Sequence, residues 1–184
     1  MSSANMNIMA VQTLDRLEEV QNQIAQLLVK NTDLFKLLRD ANPNPLAEQI
    51  TEQDIEDMTI EFLTNGERNS KCRLFFEPFI PEVQDGVVSQ IRIFPSEISP
   101  INVYEADVFL DIEVIVHQSI SRIMQGRRRD RILSELLKSL NGQEVKMIRP
   151  LMLVDRSVRV VRFASEWWGW IGRLKTGVTA PGRC

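Results

Sequence analysis

His117 is the single imidazole in a chain of 184 residues, so any histidine-based acid–base chemistry has to run through it. Its possible acidic partners lie on the same extended segment. At the rise of a β-strand Asp111 sits about 20 Å away and Glu113 about 13 Å away, too far for either to orient the ring. Cys72 and Cys184 cannot complete a zinc site without further ligands, and their spacing forms no Cys-x-x-Cys pair. No His-Glu-x-x-His helix or phosphate loop is present, and Gly66–Lys71 (GERNSK) lacks the second glycine that such a loop needs. The acidic run Thr51–Asp57 (TEQDIED) lacks the turn glycine of a calcium loop and reads as a solvated helix face or loop. Asp107, Asp111 and Glu113 form a carboxylate ladder that a nuclease could use for magnesium, but Phe109 interrupts it and no second motif completes the site. These residues predict a protein that is not an enzyme and uses no metal and no cofactor.

Two clusters remain. Arg127, Arg128, Arg129 and Arg131 crowd the start of a helical pattern, where positive charge opposes the helix dipole and invites an anionic partner. That partner could be nucleic-acid phosphate or the carboxylates of a neighbouring subunit. Arg156, Arg159 and Arg162 add charge on a later strand pattern, with Arg159 on the opposite face from the other two. Trp167, Trp168 and Trp170 could stack bases, but they precede a strand, and packing or an interface is the better reading.

The formal charge of −3 is modest, and 43% of the residues are hydrophobic against 26% charged. That composition suits one soluble domain. The charge is nevertheless divided. Residues 1–119 hold 8 Lys and Arg against 20 Asp and Glu, whereas residues 120–184 hold 14 against 5, leaving −12 and +9. Such polarity fits either complementary faces on copies of one subunit or a basic face for nucleic acid. No apolar run approaches the roughly 20 residues of a membrane span, and no secretory signal is visible. Synthesis in a cytoplasm is the expectation.

The elements that must position these residues follow from periodicity. Residues 11–40 read as one or two amphipathic helices, with Thr32 or Asp33 capping the second, and stop at the prolines of Asn42–Pro45. Strand signals cover Lys71–Phe76, Val87–Phe94, Met147–Leu153, Ser157–Phe163 and Trp170–Val178, with loops at Pro95–Pro100, Ser119–Gly126 and Ser165–Gly169 and a turn at Gln84–Gly86. Glu105–His117 alternates apolar and polar residues strictly, the mark of a long strand with one wet face. The apolar stripe Ile132, Leu133, Leu136, Leu137, Leu140 predicts a helix over 127–141, ended by Asn141 and Gly142. The expected architecture is α+β, a mostly antiparallel sheet flanked by an N-terminal amphipathic helix and one crossing helix. The domain is expected over 11–178, its sheet over 71–178, with flexible ends at 1–10 and 179–184.

The stretch Leu27–Leu46 (LLVKNTDLFKLLRDANPNPL) followed by Asp54–Asp57 (DIED) resembles the start of neck proteins of tailed bacteriophages. The strand Val108–His117 (VFLDIEVIVH) and the helix Gly126–Gly142 (GRRRDRILSELLKSLNG) are similar to the centre of the same group, the tail-terminator and head-to-tail joining proteins. The resemblance implies a structural virion protein at the head–tail junction, a homo-oligomeric ring expected to be a hexamer. Neighbouring head-completion or adaptor proteins and the tail tube protein would be its partners. Genomic DNA would pass through the lumen without sequence-specific binding. Closed head-to-tail rings need two unlike, complementary surfaces on each subunit. Arg127, Arg128, Arg129, Arg131, Trp167 and Trp168 are the expected interface residues, and Asp107, Asp111 and Glu113 are expected on a wet face or lumen. A DNA-binding or regulatory protein using Arg127–Arg131 is the alternative.

Overall fold

A computed structural model describes residues 17–78, 86–101, 105–144 and 149–179. The expected flexible end at 1–10 and residues 180–184 lie outside the described residues, as do most of the Gln84–Gly86 turn and the first part of Met147–Leu153. The helices are α1 (17–28), α2 (Thr32–Arg39), α3 (Glu52–Thr59) and α4 (Arg128–Leu140). The strands are β1 (Leu74–Phe75), β2 (Ser89–Pro100), β3 (Glu105–His117), β4 (Arg122–Ile123), β5 (Gly126–Arg127), β6 (Met152–Leu153), β7 (Arg159–Ala164) and β8 (Trp167–Thr179). The main sheet runs β1-β2-β3-β8, with β6 and β7 both pairing along the far side of β8. All its pairings are antiparallel except β1 with β2, so the fold is α+β with a mostly antiparallel sheet.

The alternation in β3 decides the layering. Ala106, Val108, Leu110, Ile112, Val114 and Val116 are buried on one face. There the core joins Ile24 and Leu28 of α1, Phe35 and Leu38 of α2, and Ile132, Leu136 and Leu140 of α4. Helices therefore cover a single face, as the period of 3.6 on one side and 2 on the other requires.

α2 starts one or two residues earlier than the sequence candidates imply, because Asn31, rather than Thr32 or Asp33, caps it. Asn31 Oδ1 accepts from the Leu34 amide at 3.0 Å. Its Nδ2 donates to the Glu135 carbonyl at 3.1 Å and to Ser139 Oγ at 2.8 Å on α4. One side chain thus starts α2 and fastens it to the crossing helix. Asn31→Ala is expected to cost about 2 kcal/mol, the upper end for a lost cap, because the bonds to α4 go with it. Urea unfolding checks this, and a loss below about 0.5 kcal/mol would show the cap to be dispensable.

Several boundaries differ from expectation: Ser119–Gly126, expected as a loop, contains β4 and the first residue of β5, and Thr179, expected in the flexible tail, is the last residue of β8. Pro95–Pro100 is not a loop but the second half of β2, with a register shift between Pro95 and Glu97. β1 covers β2 only at Ile91 and Arg92, so this half is a free edge where a missing amide costs no ladder bond. Trp167–Gly169 is not a turn but the start of β8; only Ser165 and Glu166 turn the chain. The acidic run Thr51–Asp57, expected as a solvated helix face or loop, takes the helical form: Thr51 caps α3, whose capping box pairs Thr51 Oγ1 with the Asp54 amide at 3.1 Å and Asp54 Oδ2 with the Thr51 amide at 3.0 Å.

Candidate interaction surface

Of the four arginines expected at an interface, Arg128 is withdrawn by the fold. Its side chain has no exposure. Nε donates to the Ile120 carbonyl at 3.1 Å, one Nη to the Leu37 and Asp40 carbonyls at 2.8 and 2.7 Å, and the other to the Asn42 carbonyl. The last turn of α2 leaves carbonyls without helical partners and carries the negative end of its dipole, and a planar five-donor cation satisfies both. Burial lowers the Arg128 pKa, and the nearby Asp40 carboxylate opposes that shift. Arg128 is the clasp between α2, the turn at Ile120 and α4, so a neighbouring subunit cannot reach it.

The face of β3 away from the helices carries the predicted carboxylates, and each finds a cation within the subunit. Asp107 meets Lys175 Nζ at 2.7 Å, Asp111 meets Arg173 Nε at 2.6 Å, and Glu113 meets Arg92 at 3.4 Å. All three are half-buried on a face that no helix covers among the described residues. Burial raises the Glu113 carboxyl above the usual carboxylate range despite the pull of Arg92. The antiparallel register sets Asp107 beside Gly177 and Asp111 opposite Arg173, so acids of the first two-thirds pair with bases of the last third. Part of the charge division read from sequence is therefore spent inside one subunit. Beside this ladder, Asp111, Glu113, Asp155, Arg156, Arg159 and Arg173 border a cleft of about 380 Å³ with balanced charge.

Basic charge collects on the helix side of β8, where Arg129 is paired with Asp130 at 3.4 Å. Arg122, Arg127, Arg129, Gln118, Ser121 and Trp168 line a pocket of about 220 Å³. Trp168 is 37% exposed, and the Arg162 guanidinium lies 5.5 Å from its ring centroid. Arg129 lies 5.8 Å from the Trp170 ring, whose Nε1 donates to Asp130 Oδ1 at 2.8 Å. Met124, at the tip of the β4–β5 hairpin, is 76% exposed. Arginine, tryptophan and methionine are the residue types enriched at interface cores. The fold thus brings Arg127, Arg129 and Trp168 together, while half-buried Arg131 is not among the pocket residues. Arg122 and Arg162 were not singled out as interface residues because neither sits in the basic run.

Trp167 departs from the interface expectation. Its alternation places it on the opposite face, 6% exposed, with its ring edge-on to His117 at 5.0 Å. His117 Nδ1 meets Ser119 Oγ at 2.7 Å, and Nε2 meets Glu166 Oε2 at 3.2 Å. Glu166 is the partner that spacing could not reveal, since it is remote in sequence. The trio resembles a nucleophile–base–acid set, but Nδ1 also accepts the Ser119 amide and caps the short turn at Gln118–Ile120. Its geometry is that of a corner tie between β3 and β8. Cys72 is buried, and burial pushes its thiol up to about 11, leaving little thiolate near neutrality. Among the described residues, no group of three or more His, Cys, Asp and Glu could hold a metal ion, and no helix is long and apolar enough to cross a membrane.

The fold and its surfaces define a two-layer α+β subunit whose most developed polar feature is a basic, aromatic contact surface. The YomW family model matches residues 31–164, and the chain belongs to that family. The match runs from the Asn31 cap through the hairpin and α4 to the end of β7, and so includes most of the pocket. No curated protein matches the chain.

Proposed function

We propose that this protein is a structural component of the neck of a tailed phage particle, assembling with copies of itself into a ring that terminates the tail tube or joins tail to head. The observation that carries this reading is charge left unpaired at opposite edges of one sheet. α3 packs on β1 at one edge, where Arg73 donates its amide to the Met58 carbonyl at 2.8 Å. There Glu52 and Glu56 are exposed, and no ion pair engages either among the described residues. At the other edge β7 and the start of β8 carry Arg162 and Trp168 beside the β4–β5 hairpin. Unlike surfaces at opposite ends of a subunit suit head-to-tail assembly, the arrangement that closes rings. The family name, taken from a gene of a Bacillus phage region, is consistent with this reading. The DNA-binding alternative loses Arg128, the central arginine of its basic run, to the interior.

Deleting the gene from a phage or inducible prophage that carries it tests the proposal. The expected result is DNA-filled heads and separate tails that do not join, with the chain found at the head–tail junction of wild-type particles. Normal joined particles without it, or absence of the chain from particles, would overturn the assignment.

A further inference from the structure

Two like-charge pairs, of opposite sign, face solvent at opposite edges of the sheet. In the β4–β5 hairpin Arg122 stands directly across from Arg127. Both are exposed. Like charges at directly opposed strand positions destabilise a hairpin, with Cβ atoms roughly 5 Å apart. On α3 Glu52 and Glu56 are four residues apart, on one face, both exposed. Like charges at that spacing also destabilise a helix, and their Cβ atoms are roughly 5–6 Å apart. Each pair lacks a compensating ion within the subunit among the described residues, and the two spacings match. Past α3, Phe62 and Leu63 are 58% and 44% exposed, giving the acidic edge an apolar companion for Trp168 and Met124.

We infer that the pocket formed by Arg122, Arg127 and Trp168 receives the α3 edge of a second copy of this chain, with Glu52 and Glu56 seated against the paired guanidiniums. This rests on the self-assembly in the proposed function and names its contact. The guanidinium fork suits carboxylates, and each docking relieves one repulsion on either partner. Because the two surfaces are unlike, the contact is head-to-tail, and every docked copy leaves one surface of each kind free.

Sedimentation velocity on the full chain at low salt tests the contact. Wild type is expected to associate below about 1 mM, the weak end of specific binding. Arg122→Ala with Arg127→Ala, and separately Glu52→Ala with Glu56→Ala, are each expected to weaken self-association at least roughly tenfold, a change of about 1.4 kcal/mol. An equimolar mixture of the two double variants should give dimers and nothing larger, because one working joint remains between them. That dimer also shows both variants to be folded. Wild type that stays monomeric at about 1 mM, variants that associate like wild type, or a mixture that does not pair would each overturn the contact. Salt-sensitive retention of duplex DNA by wild type without self-association would assign the pocket to phosphate instead and overturn it too. A chain monomeric in solution yet present at the head–tail junction would remove this contact and leave the neck role standing.

Discussion

Arg128→Ala should lower the melting temperature by roughly 10 °C, corresponding to about 3–5 kcal/mol at the few degrees per kcal/mol expected of a domain this size. The change empties a fully buried site and strips donors from four carbonyls, at Leu37, Asp40, Asn42 and Ile120. Buried acceptors left without donors cost more than their bonds contribute when made, and the carbonyls of Leu37 and Ile120 lie in the interior. Arg128→Lys keeps the charge but offers one tetrahedral ammonium in place of a planar fork, so it is expected to recover less than half of the loss. Arg127→Ala, one residue earlier and exposed, should leave the melting temperature within about 2 °C of wild type. Thermal unfolding by circular dichroism separates the three variants. Arg128→Ala melting like Arg127→Ala would show that the clasp does not hold the helices.

Gly169→Ala should be comparably damaging for a different reason. Gly169 lies opposite Ile115 in the β3–β8 ladder, and a Cβ built there would stand 1.6 Å from the Val114 carbonyl oxygen and 3.1 Å from the Phe163 ring. The obstructing oxygen belongs to backbone at the centre of the sheet, so relief requires β3 and β8 to separate locally. A loss of about 3 kcal/mol, at the upper end for overpacking, is expected in urea unfolding. Gly177→Ala supplies the comparison on the same strand. The atoms nearest its Cβ would all belong to the Arg149 side chain, with Cδ at 2.4 Å, and that exposed chain can swing aside at the expense of its surface pair with Glu105. The cost there is expected below about 1 kcal/mol, offset in part by the lower flexibility of alanine in the unfolded chain. Equal losses at the two glycines would refute the distinction.

The two sites also mark how much the sequence disclosed. β3 was legible to the residue, Glu105–His117, because strict alternation is a local property of a strand with one buried face. The same holds for the stripe of α4 and for its stop at Gly142, whose φ of 78° requires a residue without a side-chain penalty. Period and turn chemistry act over a few residues and need no partner to be read. That much determined the α+β class and placed Asp107, Asp111 and Glu113 on the face away from the core.

Partners were not legible, because they are set by strands and helices that meet from distant parts of the chain. A run of four arginines looks uniform in sequence, yet the helical turn that begins at Arg128 points that side chain inward to α2 while Arg127, still in the hairpin, remains outside. Adjacent tryptophans looked equivalent, yet the two-residue period of β8 buries Trp167 against His117 and leaves Trp168 over the basic pocket. The division into −12 and +9 was a fact of composition. Only the tertiary structure decided which charges cancel within the subunit, through the registers of β3 against β2 and β8, and which, at Glu52 and Glu56 on α3 and at Arg122 and Arg127 in the hairpin, are left facing outward.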